Sequence, residues 1–493
     1  MKYISTRNKL NKVSPSKAIL DGIAADGGLY VPESFPVFLQ SDLLDMADMD
    51  YAGRLACVMS RFLTDFSHEE LLEYAESAEA KFDGDPCPLV KLDEGVYIVE
   101  LFHGPTYAFK DMALSVMPYL LSAAKTKQKN SAKTLILVAT SGDTGKAALE
   151  GFKDIDGIDI AVFYPQDGVS GVQKAQMTTT EGANVYVAGI DGNFDDAQTA
   201  VKDVFADAGF AERLALKGIE LSSANSINIG RLIPQVAYYF SAYIDLLSSG
   251  EIADGEKIDF VVPTGNFGNI LAAYYAKKSG LPINRLICAS NKNNILTDFF
   301  TTGEYNASRS FYKTASPSMD ILISSNLERF LFDLSGGDDK LISSLMTALK
   351  QDGRYSVSNS LLKACDSVIS AGFADEKRTL STIEAFYNAY EYVLDPHTAV
   401  AVGVFDEYSE TAADDAKAVV VSTASPFKFA SDVYRALTGT RLDDSFLAVT
   451  KLAEYTGLDV PDGLKNLEKR PRIFGDILQK QDIKDAVKRF VTR

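Results

Sequence analysis

Five stretches of this chain gather amine, hydroxyl, amide or glycine groups in patterns that suit chemistry on a small anionic ligand. The first is LFHGPTYAFKDMAL, Leu101 to Leu114, where Lys110 sits among Phe102, Tyr107, Phe109 and Met112. Partial burial among such side chains lowers a lysine's pKa and makes its amine nucleophilic toward an aldehyde. The plainer reading is a snorkelling surface lysine. The second is TGNFGN, Thr264 to Asn269, between the runs DFVVP and ILAAYYAKK. Two glycines let the backbone approach a ligand closely. The helix that follows offers free N–H groups and the positive end of its dipole. Together they make a phosphate cup, although an ordinary strand-to-helix turn has the same composition.

The third stretch is TSGDTGKAA, Thr140 to Ala148. It has part of a Walker A pattern, but Thr140 stands where the first glycine is required and Ala147 follows the lysine, which argues against a nucleotide P-loop. Ser141 and Thr144 offer hydroxyl and backbone donors to a carboxylate; a helix-capping turn is the alternative. The fourth is SSANSINIGRLIPQ, Ser222 to Gln235, where Asn225, Asn228 and Arg231 recur every three residues. On a helix start that spacing predicts one shared face. Neutral donors with one arginine fork suit a phosphate dianion, and a polar cap is again the alternative. The fifth is VVVSTASPFKF, Val419 to Phe429, where Thr423 follows an apolar run and Pro426 fits the first turn of a helix. A hydroxyl at Thr423 can meet a ring nitrogen or cap that helix. His103 and His397 read as hydrogen-bonded structural histidines.

The elements around these loops explain why they would converge. TLILVAT, IDIAVFYP, NVYVAG, IELSSA, DFVVP, RLICAS and AVVVST are short apolar runs separated by helical patterns. Such alternation predicts α/β architecture with parallel sheets covered on both faces. The number of units predicts two doubly covered α/β subdomains, with ligands bound at the strands' C-terminal ends. The first ~90 residues read as mainly helical, with a Gly/Pro-rich turn at DGGLYVPESFP. We expect an N-terminal domain over 1–92, a catalytic region over 93–440 with its smaller subdomain roughly at 110–225, and a C-terminal helical segment over 441–493 packed on that region.

Composition narrows the partners. A formal charge of −18 disfavours nucleic acid and anionic membranes as partners. A phosphorylated metabolite would need local donors instead. No run of ~18 apolar residues predicts a membrane span. The polar start MKYISTRNKL lacks the apolar stretch of a secretory signal, so a cytoplasmic location is expected. Cys57, Cys87, Cys288 and Cys365 are widely spaced, and with three histidines they predict neither a disulfide framework nor a metal site.

Taken in order, these motifs resemble threonine synthases. The resemblance begins with STRN at Ser5 to Asn8 and DGGLYVPE at Asp26 to Glu33. It continues through HGPTYAFKD, TSGDTG, SANSINIGR and PTGNFGN, and closes with STASPFKF. HGPT-x-AFKD is the most specific of them. The N-terminal extension and SGDTG are similar to the longer microbial and fungal type. Two positions depart: Ser425 stands where many relatives have histidine, and Tyr107 where leucine is commoner.

The resemblance implies a tryptophan-synthase-like fold (fold type II) and pyridoxal 5′-phosphate as cofactor, held by Lys110 as a Schiff base. It implies that Gly265, Asn266, Phe267, Gly268 and Asn269 hold the cofactor phosphate and that Thr423 faces the pyridine nitrogen. Thr140, Ser141, Gly142, Asp143 and Thr144 would cradle the amino-acid carboxylate. Ser226, Asn228 and Arg231 would seat the phosphate of O-phospho-L-homoserine. The implied reaction removes protons from Cα and Cβ, expels phosphate from Cγ and adds water at Cβ, giving L-threonine. A related phospho-lyase or a threonine/serine dehydratase is the alternative, with a non-catalytic ligand-binding protein further off. Monomer and homodimer both remain open at this point.

Overall fold

The computed structural model describes residues 1–140, 142–166, 169–412 and 415–492. Its larger sheet has six strands, in the spatial order Ile369–Phe373, Ile283–Ser290, Ile258–Pro263, Ala418–Ser422, Val96–Glu100 and Leu89–Asp93. All neighbours are parallel except the edge pair Leu89–Asp93 with Val96–Glu100. The central strands are buried along their whole length, which explains why DFVVP and AVVVS are continuous apolar runs and not alternating ones.

The smaller sheet has five parallel strands, ordered Ile477–Leu478, Val185–Ile190, Ile158–Pro165, Lys133–Ala139 and Ile219–Ser222. In the helix Ile229–Ser248 nearly every side chain is buried. It docks on the helix Gly268–Lys278 and on the N-terminal helix Tyr51–Phe62, where Arg54 pairs with Asp245 at 2.6 Å.

Helices predominate over the first 80 residues, but a three-stranded antiparallel sheet of Tyr3–Ser5, Asn8–Val13 and Tyr30–Pro32 accompanies them. Arg7 joins this sheet to the rest of the chain through Glu328 at 2.7 Å. The antiparallel strand Leu89–Asp93 belongs to the larger sheet, so that sheet begins inside the stretch read as N-terminal. The C-terminal segment contributes more than helices. Ile477–Leu478 extends the smaller sheet, and Ile483, Val487 and Phe490 of the last helix pack into its core with Leu135, Phe163 and Tyr186. Among the described residues no helix is long and apolar enough to cross a membrane, and no His/Cys/Asp/Glu cluster suits a metal ion.

Candidate active site

A cavity of about 560 Å³ opens between the two sheets at the C-terminal ends of their strands. Lys110 reaches it from a segment held on several sides. Phe109 N–H donates to Thr423 O at 2.8 Å and Ser425 N–H to Tyr107 O at 3.1 Å. The two departures, Tyr107 and Ser425, therefore lie against each other. Thr106 N–H and hydroxyl both donate to the Asp111 carboxylate, at 2.8 and 2.6 Å. Tyr107 takes a left-handed backbone (φ 60°), and its hydroxyl accepts from Gly463 N–H at 2.6 Å.

Lys110 is buried, with Nζ donating to Ser318 Oγ at 3.2 Å and lying 3.6 Å from Asp143 Oδ2. Burial lowers the pKa of this amine; Asp143 opposes the shift, and Arg231 and Lys428 add to it.

The Thr140 to Thr144 turn corrects one expectation. Asp143 opens the helix Asp143–Phe152, and its carboxylate is occupied by protein groups. It accepts from Gln173 Nε2 at 2.8 Å and Ser318 Oγ at 3.0 Å, and it pairs with Lys428 at 3.1 Å. Burial works against its ionisation, yet Lys428 and Lys110 outweigh burial and hold it well below the usual carboxylate range. An anion so placed would repel a substrate carboxylate. Thr140 lines the cavity while its hydroxyl accepts from Gly142 N–H and Gly145 N–H, at 3.0 and 2.9 Å. Gly142 has φ 138°, and a Cβ there would meet the Gln173 amide at 2.5 Å, so only glycine fits. Thr144 lines the cavity; Ser141 lies outside the described residues.

On the opposite wall, Gly265 to Asn269 lead into the helix Gly268–Lys278. Phe267 caps that helix in the left-handed region (φ 60°), and Gly268 and Asn269 of its first turn line the cavity. A Cβ on Gly265 would touch Ser318 O at 3.0 Å, so the glycine serves close packing of the Pro317–Met319 turn. Asn266 Nδ2 donates to Ser226 Oγ at 2.6 Å. Asn269 Oδ1 accepts from the hydroxyls of Tyr238 and Tyr239, leaving its buried Nδ2 without a partner among the described residues.

Arg231 lines the same wall, 5% exposed, with Nη1 donating to Ala224 O at 2.9 Å. Burial pulls its pKa down to about 10, so it remains charged at neutral pH. No carboxylate forms an ion pair with it among the described residues. Asn225 and Ser226 line the cavity beside it, but Asn228 does not. The helix starts at Ile229, so Asn228 is its N-cap and shares no helical face with Arg231. Its amide accepts from Gly230 N–H at 2.9 Å and donates to Ile19 O at 3.0 Å, fastening the N-terminal domain. Thr423 faces the cavity, and its N–H donates to Thr398 Oγ1 at 3.4 Å.

Sequence reasoning missed Ser318, which lies in an irregular stretch without the strand–loop–helix context that marked the other sites. His397 also reaches the cavity. Its Nε2 accepts from Ser318 N–H at 3.2 Å and its Nδ1 lies 2.7 Å from Asp395, as a hydrogen-bonded histidine should. Gln198 and Lys202 add polar lining from the helix Phe194–Ala206.

Known proteins share this arrangement from end to end. The family model for pyridoxal-phosphate dependent enzymes matches residues 83–424. Those for the threonine synthase N terminus and the threonine synthase C-terminal region match 2–78 and 398–491. A threonine synthase of Pseudomonas aeruginosa is 38% identical over 441 residues, covering 89% of this chain and 91% of that one. The chain belongs to the threonine synthase family of pyridoxal-phosphate dependent enzymes. The crystal structure of a PLP-bound threonine synthase from Brucella melitensis superposes with a TM-score of 0.88 at 37% identity, covering 99% of each chain. The fold is therefore fold type II. Human threonine synthase-like 1 is 40% identical over 455 residues, covering 88% of this chain; this chain spans 60% of that protein's length.

The residues present fit pyridoxal phosphate. An amine with lowered pKa suits the aldehyde, and the helix N-terminus at Gly268 suits the phosphate. Asn269 lines the cavity, and its buried Nδ2 has no partner among the described residues.

Proposed function

We propose that this chain is a threonine synthase, converting O-phospho-L-homoserine and water to L-threonine and phosphate. The observation that carries the reading is one cavity lined by a buried amine, Lys110, and a buried guanidinium, Arg231, that pairs with no carboxylate among the described residues. A buried cation without a counter-ion is costly, and a dianionic substrate would supply the missing charge.

Pyridoxal phosphate, when bound, supplies an electron sink for charge developing next to the amino group. Lys110 anchors it and then takes and returns the proton at Cα. The backbone N–H groups of Gly265 to Asn269 would hold the cofactor phosphate. Thr423 would offer its hydroxyl to the cofactor ring. Arg231 and Ser226 take the substrate phosphate, and Arg231 orients it for departure. The hydroxyl and backbone of Thr144 remain the donors for the substrate carboxylate. Residues 1–92, 93–440 and 441–493 serve as N-terminal, catalytic and C-terminal units, and the enzyme works in the cytoplasm.

The test is to supply O-phospho-L-homoserine to the holoenzyme and identify every product. Equal amounts of L-threonine and phosphate are expected. Release of 2-oxobutyrate and ammonia with the phosphate would make the chain a phospho-lyase instead.

A further inference from the structure

We infer that Lys428 and Asp143 form a buried positioning pair which, through Ser318, sets how tightly the Lys110 amine holds its proton. The inference rests on the proposed role of Lys110 as the group that moves the Cα proton.

Lys428 has three N–H donors and three acceptors around it: Thr106 O at 2.7 Å, Gln176 Oε1 at 3.1 Å and Asp143 Oδ1 at 3.1 Å. Its side chain is wholly buried. Two of its donors are committed to Thr106 and Gln176, and its ammonium group faces the Asp143 carboxylate as an ion pair. Asp143 divides its two oxygens. Oδ1 faces Lys428 and Gln173; Oδ2 accepts from Ser318 Oγ at 3.0 Å and lies 3.6 Å from Lys110 Nζ. The Ser318 hydroxyl thus donates to Asp143 while accepting from Lys110 at 3.2 Å.

The charged neighbours are few. Lys110 faces Asp143, Arg231 and Lys428; Asp143 also faces His397; Lys428 also faces Asp111; and Asp320 faces His397. His397 Nε2 accepts from Ser318 N–H, which fixes the serine between Lys110 and Asp143. Asp143 alone would hold Lys110 as an ammonium, useless as a base. Lys428 offsets that anion, so the amine can release its proton.

The signs differ between variants, which a merely structural role would not produce. Removing the anion in Asp143→Asn leaves Lys428 uncompensated and lowers the Lys110 pKa. Removing the cation in Lys428→Met leaves Asp143 to Lys110 alone and raises it. The protein without cofactor is labelled with trace acetic anhydride across pH, and the Lys110 peptide is quantified by mass spectrometry. The midpoint should fall by about one pH unit in Asp143→Asn, giving about tenfold faster labelling below the midpoint. It should rise by a similar amount in Lys428→Met and return near the parent value in the double variant. The acidic limb of holoenzyme turnover should move in the same directions. An unchanged midpoint in Asp143→Asn, or a fall in Lys428→Met, overturns the inference. Should Lys428→Met not fold, Asp143→Asn and the double variant decide the matter. Expected labelling shifts without any turnover of O-phospho-L-homoserine would uphold the pair and reject the proposed reaction.

Discussion

Lys428 and Arg231 are both buried cations that act on Lys110, and their surroundings are opposite. Lys428 has a carboxylate at 3.1 Å and two further acceptors, so its charge is matched within the fold. Arg231 has a single backbone carbonyl at 2.9 Å and pairs with no anion among the described residues. A protein that folds with an unmatched buried charge bears a desolvation cost, and a ligand of opposite sign relieves it. The matched cation therefore belongs to the machinery around Lys110, and the unmatched one to the substrate. Under the proposed function, the division gives a chain of net charge −18 a local site for a phosphorylated substrate.

The largest effect should come from the group that the matched wall serves. Lys110→Ala should lower turnover on the order of 10³-fold, because the anchoring amine and the proton-moving group vanish together. It should also abolish the visible absorbance of a cofactor bound to lysine. Turnover within tenfold of the parent protein would break the assignment.

Next come the two cations themselves, whose removal should act on different quantities. Lys428→Met leaves the buried Asp143 with Lys110, 3.6 Å away, as its one remaining ion-pair cation, which should cost about 3 kcal/mol in denaturant unfolding of the protein without cofactor. Asp143→Asn combined with Lys428→Met should recover part of that loss, since the Asp143–Lys428 pair is then removed together and only Lys110 loses an anion. Arg231→Leu strands no charge and frees only the Ala224 carbonyl, so unfolding should change little. Its effect should fall on binding instead. O-phospho-L-homoserine and inorganic phosphate should each bind about ten- to a hundredfold more weakly, the roughly 1.5–3 kcal/mol of a charge-assisted contact. Cofactor occupancy should remain intact. If Arg231→Leu sheds cofactor while phosphate binding holds, the arginine belongs to the cofactor side and the comparison collapses.

How much of this was legible beforehand depended on burial and context. Central strands such as Ile258–Pro263 were readable because burial on both faces demands continuous apolar residues. Asn8–Val13 was not, because most of its side chains are exposed and NKLNKV carries no apolar period. Ile477–Leu478 contains two residues, too few for any period. Lys110, the Gly265 to Asn269 turn and Arg231 stood out because a strand or helix end follows a fixed chemical pattern. Asn228 was misjudged because a three-residue spacing means a shared face only where a helix has already begun, and here it begins one residue later. Asp143 lies within a recognisable loop, but its two lysine partners come from positions far away in the chain.

The smallest expected effect concerns how the matched wall is held in place. Tyr107 stands three residues before Lys110 with φ 60°, a conformation that costs a non-glycine residue roughly 1 kcal/mol. A tether offsets that cost: the tyrosine hydroxyl accepts from Gly463 N–H at 2.6 Å, linking the lysine segment to the C-terminal region. The contact is so close that a Cβ on Gly463 would meet the hydroxyl oxygen at 2.7 Å. Tyr107→Phe keeps the ring and removes only the acceptor, leaving one backbone N–H without its partner. That should destabilise the protein by about 1 kcal/mol, at the low end for a lost hydrogen bond because both groups are only partly buried. The ring still fills its site, so the lysine segment should keep its course and kcat should fall less than about threefold, a barrier change under roughly 0.7 kcal/mol. Arg231 lies on the other wall, so phosphate binding should not change. A loss of phosphate affinity in Tyr107→Phe equal to that in Arg231→Leu would mean that the two walls move as one body, and that the contrast between their cations does not separate their functions.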